Sequence, residues 1–117
     1  MKLRFLGTGT STGVPEVGCT CPVCTSTDFR DNRLRTSALL HTDDGHTILI
    51  DCGPDFREQM IRSRWFGRID GVLITHEHYD HVGGLTICAL IVDLVKFQFF
   101  PMPIRLNIFV CVCLIVL

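Results

Sequence analysis

With 117 residues the chain has room for one small domain and a modest core, and its formal net charge of −1 gives no reason to expect a general nucleic-acid or membrane-surface binder. Seven cysteines behind a start too short and too charged for a secretory leader argue against a disulfide scaffold. They favour a reducing, cytoplasmic setting with thiols free to act as ligands.

In chain order, Leu3 to Leu6 predicts a short first strand, followed by the loop Gly7-Thr8-Gly9-Thr10-Ser11-Thr12-Gly13. The loop is neither a Walker A sequence, since the closing Lys-Ser/Thr is missing, nor a complete G-x-G-x-x-G, since Gly13 falls one position late. A phosphate cradle and a plain connector fit it equally. Cys19-Thr20-Cys21-Pro22-Val23-Cys24 is a C-x-C-x-x-C run that brings three thiolates onto one tight turn, with Pro22 stiffening the backbone between them. A structural zinc site needs a fourth ligand, for which Cys52, His41, His46 or a residue of a longer protein are the candidates.

Thr25 to Arg35 is polar, and its arginines (Arg30, Arg33, Arg35) fit phosphate steering less often than a solvated charged face. Thr36 to Thr42 and His46 to Ile50 are β-prone runs around Asp43-Asp44-Gly45, which predicts a hairpin. The second run stops at Asp51-Cys52-Gly53, placing a carboxylate where it can fix the tautomer of a metal-bound imidazole or simply open a turn. Pro54 to Arg62 predicts a helix with proline at its opening position and Phe56, Met60 and Ile61 toward the sheet, capped by Trp65 and Phe66. Val72 to Ile74 predicts a buried strand.

Directly after it stands Thr75-His76-Glu77-His78-Tyr79-Asp80-His81, holding three of the five histidines in one hexapeptide. In an extended segment His76 and His78 point the same way, and Asp80 and His81 follow where a helix can begin. Imidazoles and a carboxylate converging there suit Zn²⁺ or Mn²⁺. Asp80 sits between the first pair and His81, so the motif has donors for two ions. Two such ions roughly 3.5–4 Å apart polarise a phosphoryl oxygen and hold a hydroxide at neutral pH. The order of strand, hairpin, helix, strand and ligand loop predicts an α/β layered architecture.

The H-x-H-x-D-H arrangement from Thr75 to Leu85 resembles the metal-binding motif of the metallo-β-lactamase-fold hydrolases. Gly7 to Ser26 is similar to the amino-terminal segment of the branch that includes the phosphoribosyl cyclic phosphodiesterases. The resemblance implies an αββα sandwich with ions at one edge of two sheets, of which residues 1–90 are the amino-terminal half. It implies that His76, His78, Asp80 and His81 hold the catalytic metal, that Asp80 is catalytic, and that Asp51 supports the histidines from behind. It also implies that Cys19, Cys21 and Cys24 hold a structural zinc, completed in that branch by a distant histidine. No histidine follows His81 here, and Asp93 is an improbable bridging ligand.

From Gly84 to Leu117 the only charged residues are Asp93, Lys96 and Arg105, so residues 91–117 form an apolar tail that does not match the family. Its final ten-residue run from Ile108 is too short for a bilayer span, which needs roughly 17–25, and better suits a buried strand seeking a partner sheet. The expectation is therefore a truncated, alternatively spliced or frame-shifted half of a hydrolase acting on a small phosphodiester such as a cyclic phosphate, without a membrane partner. An RNA phosphodiester, as for the tRNA 3′-processing endonucleases, is the less favoured substrate. A metal-binding but catalytically incompetent half-domain is the rival expectation.

Overall fold

The computed structural model describes residues 1–65, 67–91, 97–103 and 109–115, with side chains described as far as residue 88. Six strands form one sheet: β1 (Lys2–Gly7), β2 (Ser37–His41), β3 (Thr47–Ile50), β4 (Gly71–Ile74), β5 (Phe97–Pro103) and β6 (Phe109–Ile115), in the spatial order β1-β2-β3-β4-β6-β5. The β2–β3 hairpin turns at Asp43 to Gly45 as the sequence predicts, with Thr42 N donating to His46 O at 2.9 Å. β3 and β4 are parallel, joined by a crossover through helix α1 (Phe56–Ser63). That pairing brings the carboxyl ends of both strands to one edge of the sheet, where the loops carrying Asp51 and the histidines begin.

One face of the sheet makes the core. Leu39, Leu49 and Val72 stand in register across β2, β3 and β4, each at most 1% exposed. Phe56 and Met60 of α1 and Cys88 of α3 (Leu85–Ile91) pack onto them. Each large side chain so buried contributes about 1.5–3 kcal/mol.

α1 departs from expectation in two ways. It starts at Phe56, with Asp55 as its cap residue and Pro54 still in the preceding turn. Asp55 is held there by its carboxylate, which accepts from Arg35 N at 2.8 Å and Arg35 Nη1 at 2.7 Å. The inward stripe is Phe56, Gln59 and Met60, whereas Ile61 is 53% exposed because it lies one residue off that stripe. Gln59 tolerates burial by donating Nε2 to Arg35 O at 2.8 Å.

Trp65 packs on the core beside His41, while Phe66 lies outside the described residues. In the tail, β6 falls within the run expected to be a strand and pairs antiparallel with β4, from Gly71↔Leu114 to Ile74↔Cys111. Pro101 and Pro103 lie within β5 at the outer edge of the sheet, where a missing N–H need not cost a ladder bond. Asp93, Lys96 and Arg105 lie outside the described residues.

Candidate metal centre

β4 ends at Ile74, and the chain leaves the sheet through Thr75 to His78 before the short helix α2 (Tyr79–Val82). His76 and His78 stand edge to face with ring centroids 4.6 Å apart, and His76 and His81 lie 3.9 Å apart. The three imidazoles therefore share one small volume. Asp80 joins them, its Oδ2 lying 3.1 Å from His81 Nε2.

Behind this cluster sits Asp51, almost fully buried and held at φ 58°. A non-glycine residue in that region is strained, so the surroundings must hold it. They do: Asp51 N donates to Leu73 O at 2.9 Å, and Ser37 Oγ donates to Asp51 O at 2.8 Å. The Asp51 carboxylate accepts from Thr75 N at 2.8 Å and from Thr75 Oγ1 at 2.9 Å, and lies 2.8 Å from His81 Nδ1.

This network orients the rings. Thr75 Oγ1 has a single hydrogen and gives it to Asp51, so it meets His76 Nδ1 at 3.1 Å and His81 Nδ1 at 3.3 Å as an acceptor. Both rings are thus oriented with Nδ1 toward this support and Nε2 away from it. His81 Nε2 lies 3.1 Å from Asp80 Oδ2, so the two atoms are close enough to share one cation. The donor set suits a divalent ion.

Two glycines let the cluster press against its support. A Cβ on Gly53 would lie 2.0 Å from Asp80 O, and one on Gly84 would lie 2.1 Å from Gly53 O. The backbones are also bonded, Cys52 N to His81 O and Gly84 N to Cys52 O, both at 2.8 Å. Residues 51–53 thus clamp the histidine loop at Thr75, Asp80, His81 and Gly84. Sequence reasoning missed Thr75 and the clamping function of Gly53 and Gly84. A hydroxyl immediately before the first histidine was the available signal for Thr75. The glycines read only as turn and helix punctuation.

The cysteine cluster is built differently. Cys19, Cys21 and Cys24 bring their Sγ atoms within 4.8 Å of one another, and among the described residues this is the one group of three or more donors that tight. The donors at the histidine loop are more spread. Cys24 N donates to Cys21 Sγ at 3.4 Å, and this amide, with the neighbouring thiols, lowers the Cys21 pKa. At Cys24 the Glu16 amide lowers the pKa, but the Cys19 thiol, partial desolvation and Cys21 outweigh it and the net shift is upward. Within the trio, Cys21 is thus favoured as thiolate over Cys24.

Of the fourth ligands expected within the chain, Cys52, His41 and His46 all stand apart from this trio. Cys52 is fully buried in the core, where the Cys88 thiol and burial push its pKa up. His41 meets Thr47 Oγ1 at 3.1 Å, and His46 lies beside Asp44 and Asp70. The glycine-rich loop offers no open cradle of amides at two of its glycines, because Gly9 N is spent on Leu34 O and Gly13 N on Thr10 O. Arg30 pairs with Asp28 and Arg35 with Asp55.

The model of one protein family, "Anti-Pycsar protein Apyc1", matches residues 20–109, which include Cys21, Cys24, Asp51 and the whole histidine loop. The chain belongs to that family. Among solved structures this family member is similar to a diphosphatase of the PhnP family, at 47% identity and TM-score 0.70 over 76% of the chain and 34% of that structure. It is also similar to Zn²⁺-bound PqqB from Methylobacterium extorquens, at 27% identity and TM-score 0.63 over 75% of the chain and 33% of that structure. Human tRNase Z, short form, aligns at 27% identity and TM-score 0.58 over 84% and 32%. All are metallo-β-lactamase-fold proteins, so the fold and the branch resemblance read from the sequence are borne out.

A curated relative, the octanoyltransferase of Porphyromonas gingivalis, is 59% identical over 92 residues, covering 75% of the chain and 18% of the relative. The chain thus spans about a fifth of this curated relative and about a third of the solved ones, and covers only part of the metallo-β-lactamase domain.

Proposed function

We propose that this chain is the metal-binding part of a hydrolase that cleaves a phosphodiester, most simply a small cyclic phosphate. The observation that carries the reading is the paired arrangement of His81: Nδ1 held 2.8 Å from buried Asp51, Nε2 directed at Asp80 3.1 Å away. The residues that would hold metal are His76, His78, Asp80 and His81, with donors for two ions of Zn²⁺ or Mn²⁺. When bound, such ions supply Lewis acidity toward a phosphoryl oxygen and a nucleophile at neutral pH. Asp51 and Thr75 fix the imidazoles in one orientation, so the donors need not reorganise. Asp80, the catalytic carboxylate in this reading, is placed to orient a water or accept its proton. Cys19, Cys21 and Cys24 hold a structural zinc whose fourth ligand lies outside the trio.

The likeness to a PhnP-family diphosphatase supports phosphate-ester chemistry, and the likeness to tRNase Z supports an RNA phosphodiester as the second substrate class. No helix among the described residues is long and apolar enough to cross a membrane; the cytoplasmic setting rests on the seven cysteines. A second reading is a metal-binding half-domain without turnover, supported by histidine-loop donors that are more spread than the three thiols, which lie within 4.8 Å of one another. In this reading residues 1–90 form the half-domain and residues 91–117 its apolar tail, into which the family match extends as far as residue 109.

Metal content followed by hydrolysis of bis(p-nitrophenyl) phosphate with Mn²⁺ and Zn²⁺, wild type against His78→Ala, separates the two. Metal-dependent turnover lost in the variant supports the hydrolase. Bound metal without turnover in the wild type leaves the incompetent half-domain.

A further inference from the structure

A groove runs between β1, the edge strand, and α1, on the face of the sheet that the helices cover. Arg4 fixes that side: it pairs in register with Leu39 of the core row, and its Nη1 donates to Ser63 O at the end of α1, at 3.0 Å. The groove has two lobes, of about 170 and 360 Å³, which share Leu6 and Arg62. Together they reach the size of small-ligand sites, roughly 300–1,000 Å³. No residue of the metal centre lines either lobe. α1 starts at the clamp, with Phe56 N bonded to Gly53 O, and its eight residues carry the chain about 12 Å away before Ser63.

Every charged residue lining the groove is an arginine: Arg4, Arg33 and Arg62. Arg33 and Arg62 meet in the smaller lobe. The backbone of Arg33 is pinned on both sides, its N bonded to Val14 O at 2.8 Å and its O to Val14 N at 3.0 Å, while its guanidinium reaches only Thr8 O, at 3.4 Å. Arg62 is oriented by Glu58 at its Nε, but Nη1 and Nη2 reach Asn32 Oδ1 only at 3.4 and 3.5 Å, long for hydrogen bonds. Two forks of N–H groups are thus held in place and largely unspent, which suits a phosphate. The larger lobe carries a different signal. Gln59 lines it at 1% exposure, its Nε2 is committed to Arg35 O, and its Oε1 is a buried acceptor with no partner among the described residues. Because Nε2 needs that carbonyl, the amide cannot turn over to relieve Oε1. A buried acceptor left unpaired is costly and rare, and it calls for a donor from outside the chain.

We propose that this groove binds a hydroxyl-bearing phosphate monoester, at a site distinct from the metal centre and independent of the proposed hydrolysis. The phosphate lies between Arg33 and Arg62 in the smaller lobe, and a hydroxyl donates to Gln59 Oε1 in the larger. Isothermal titration of the full chain with glycerol 3-phosphate, at low ionic strength and without added metal, tests this. One equivalent should bind, with the same affinity in His78→Ala. Arg33→Ala and Arg62→Ala should each weaken binding about tenfold or more. Both side chains are exposed, so circular dichroism and the melting curve should stay near wild type. Arg30→Ala, on a guanidinium paired with Asp28 outside the groove, should change nothing. n-Propyl phosphate has the same skeleton without the hydroxyls and should bind about fivefold or more weaker. A chain that takes up no glycerol 3-phosphate at about 10 mM overturns the proposal. So does binding that is lost in His78→Ala, which would put the phosphate at the metal loop, or binding that survives both arginine variants. Equal affinity for the two esters overturns the place given to Gln59.

Discussion

The histidine loop and the cysteine turn both gather metal-loving side chains, yet they are held by opposite means. The cysteines owe their proximity to local chain geometry: three thiols within six residues, braced by the amides of Glu16 and Cys24, on a largely exposed loop. The histidines owe theirs to tertiary structure: a buried carboxylate from another strand, a threonine hydroxyl and two glycine contacts reached across the crossover. A local site is legible in sequence and insensitive to the core. A tertiary site is only half legible, and it fails when its support fails.

The sharpest way to break the contrast is Gly84→Ala. Its Cβ would meet Gly53 O at 2.1 Å and Phe56 Cβ at 2.9 Å, backbone and core that cannot step aside cheaply. A loss of about 3 kcal/mol or more is expected in urea denaturation, at the upper end for single substitutions. Zinc retained by the cysteines, measured in the same sample under folding conditions, would show the two regions to be independent.

Asp51→Asn comes next. It keeps the size but removes the charge that orients His81, so metal affinity at the histidine loop should fall about 10–100-fold by calorimetric titration. Affinity at the cysteines should not move. An equal fall at both would mean that Asp51 acts through global stability alone.

Cys21→Ala makes the converse test. One equivalent of zinc should be lost with a modest fall in melting temperature, while the histidine loop binds as before. Unchanged zinc stoichiometry would rule out the thiolate site. The smallest effect belongs to a surface pair outside both regions: Glu58 and Arg62, one helical turn apart at 2.8 Å, should lose about 0.3–0.5 kcal/mol in Glu58→Ala by the same denaturation assay.

What the sequence made legible follows the same division. The Asp-Gly hairpin, the strand before the histidines and the strand in the apolar tail all rest on short-range patterns, and all appear. The start of α1 was misplaced because Asp55 is held by Arg35, twenty residues away, rather than by anything in its own turn. Gln59 displaced Ile61 from the inward face for a similar reason: its amide finds a distant backbone carbonyl, which polarity scales do not foresee. Gly53 and Gly84 looked like ordinary loop residues because their necessity exists only once two remote backbones touch.

The parallel pairing of β3 with β4 has a consequence for how the protein moves. Asp51, Thr75 and the clamp at Cys52 and Gly84 all belong to a single strand–helix–strand unit and its exit loop, so the ligand loop should open only when that unit opens. In deuterated solvent the amides of Cys52, Thr75 and Gly84 should retain their protons as a cooperative set, and those of the cysteine turn should exchange long before them.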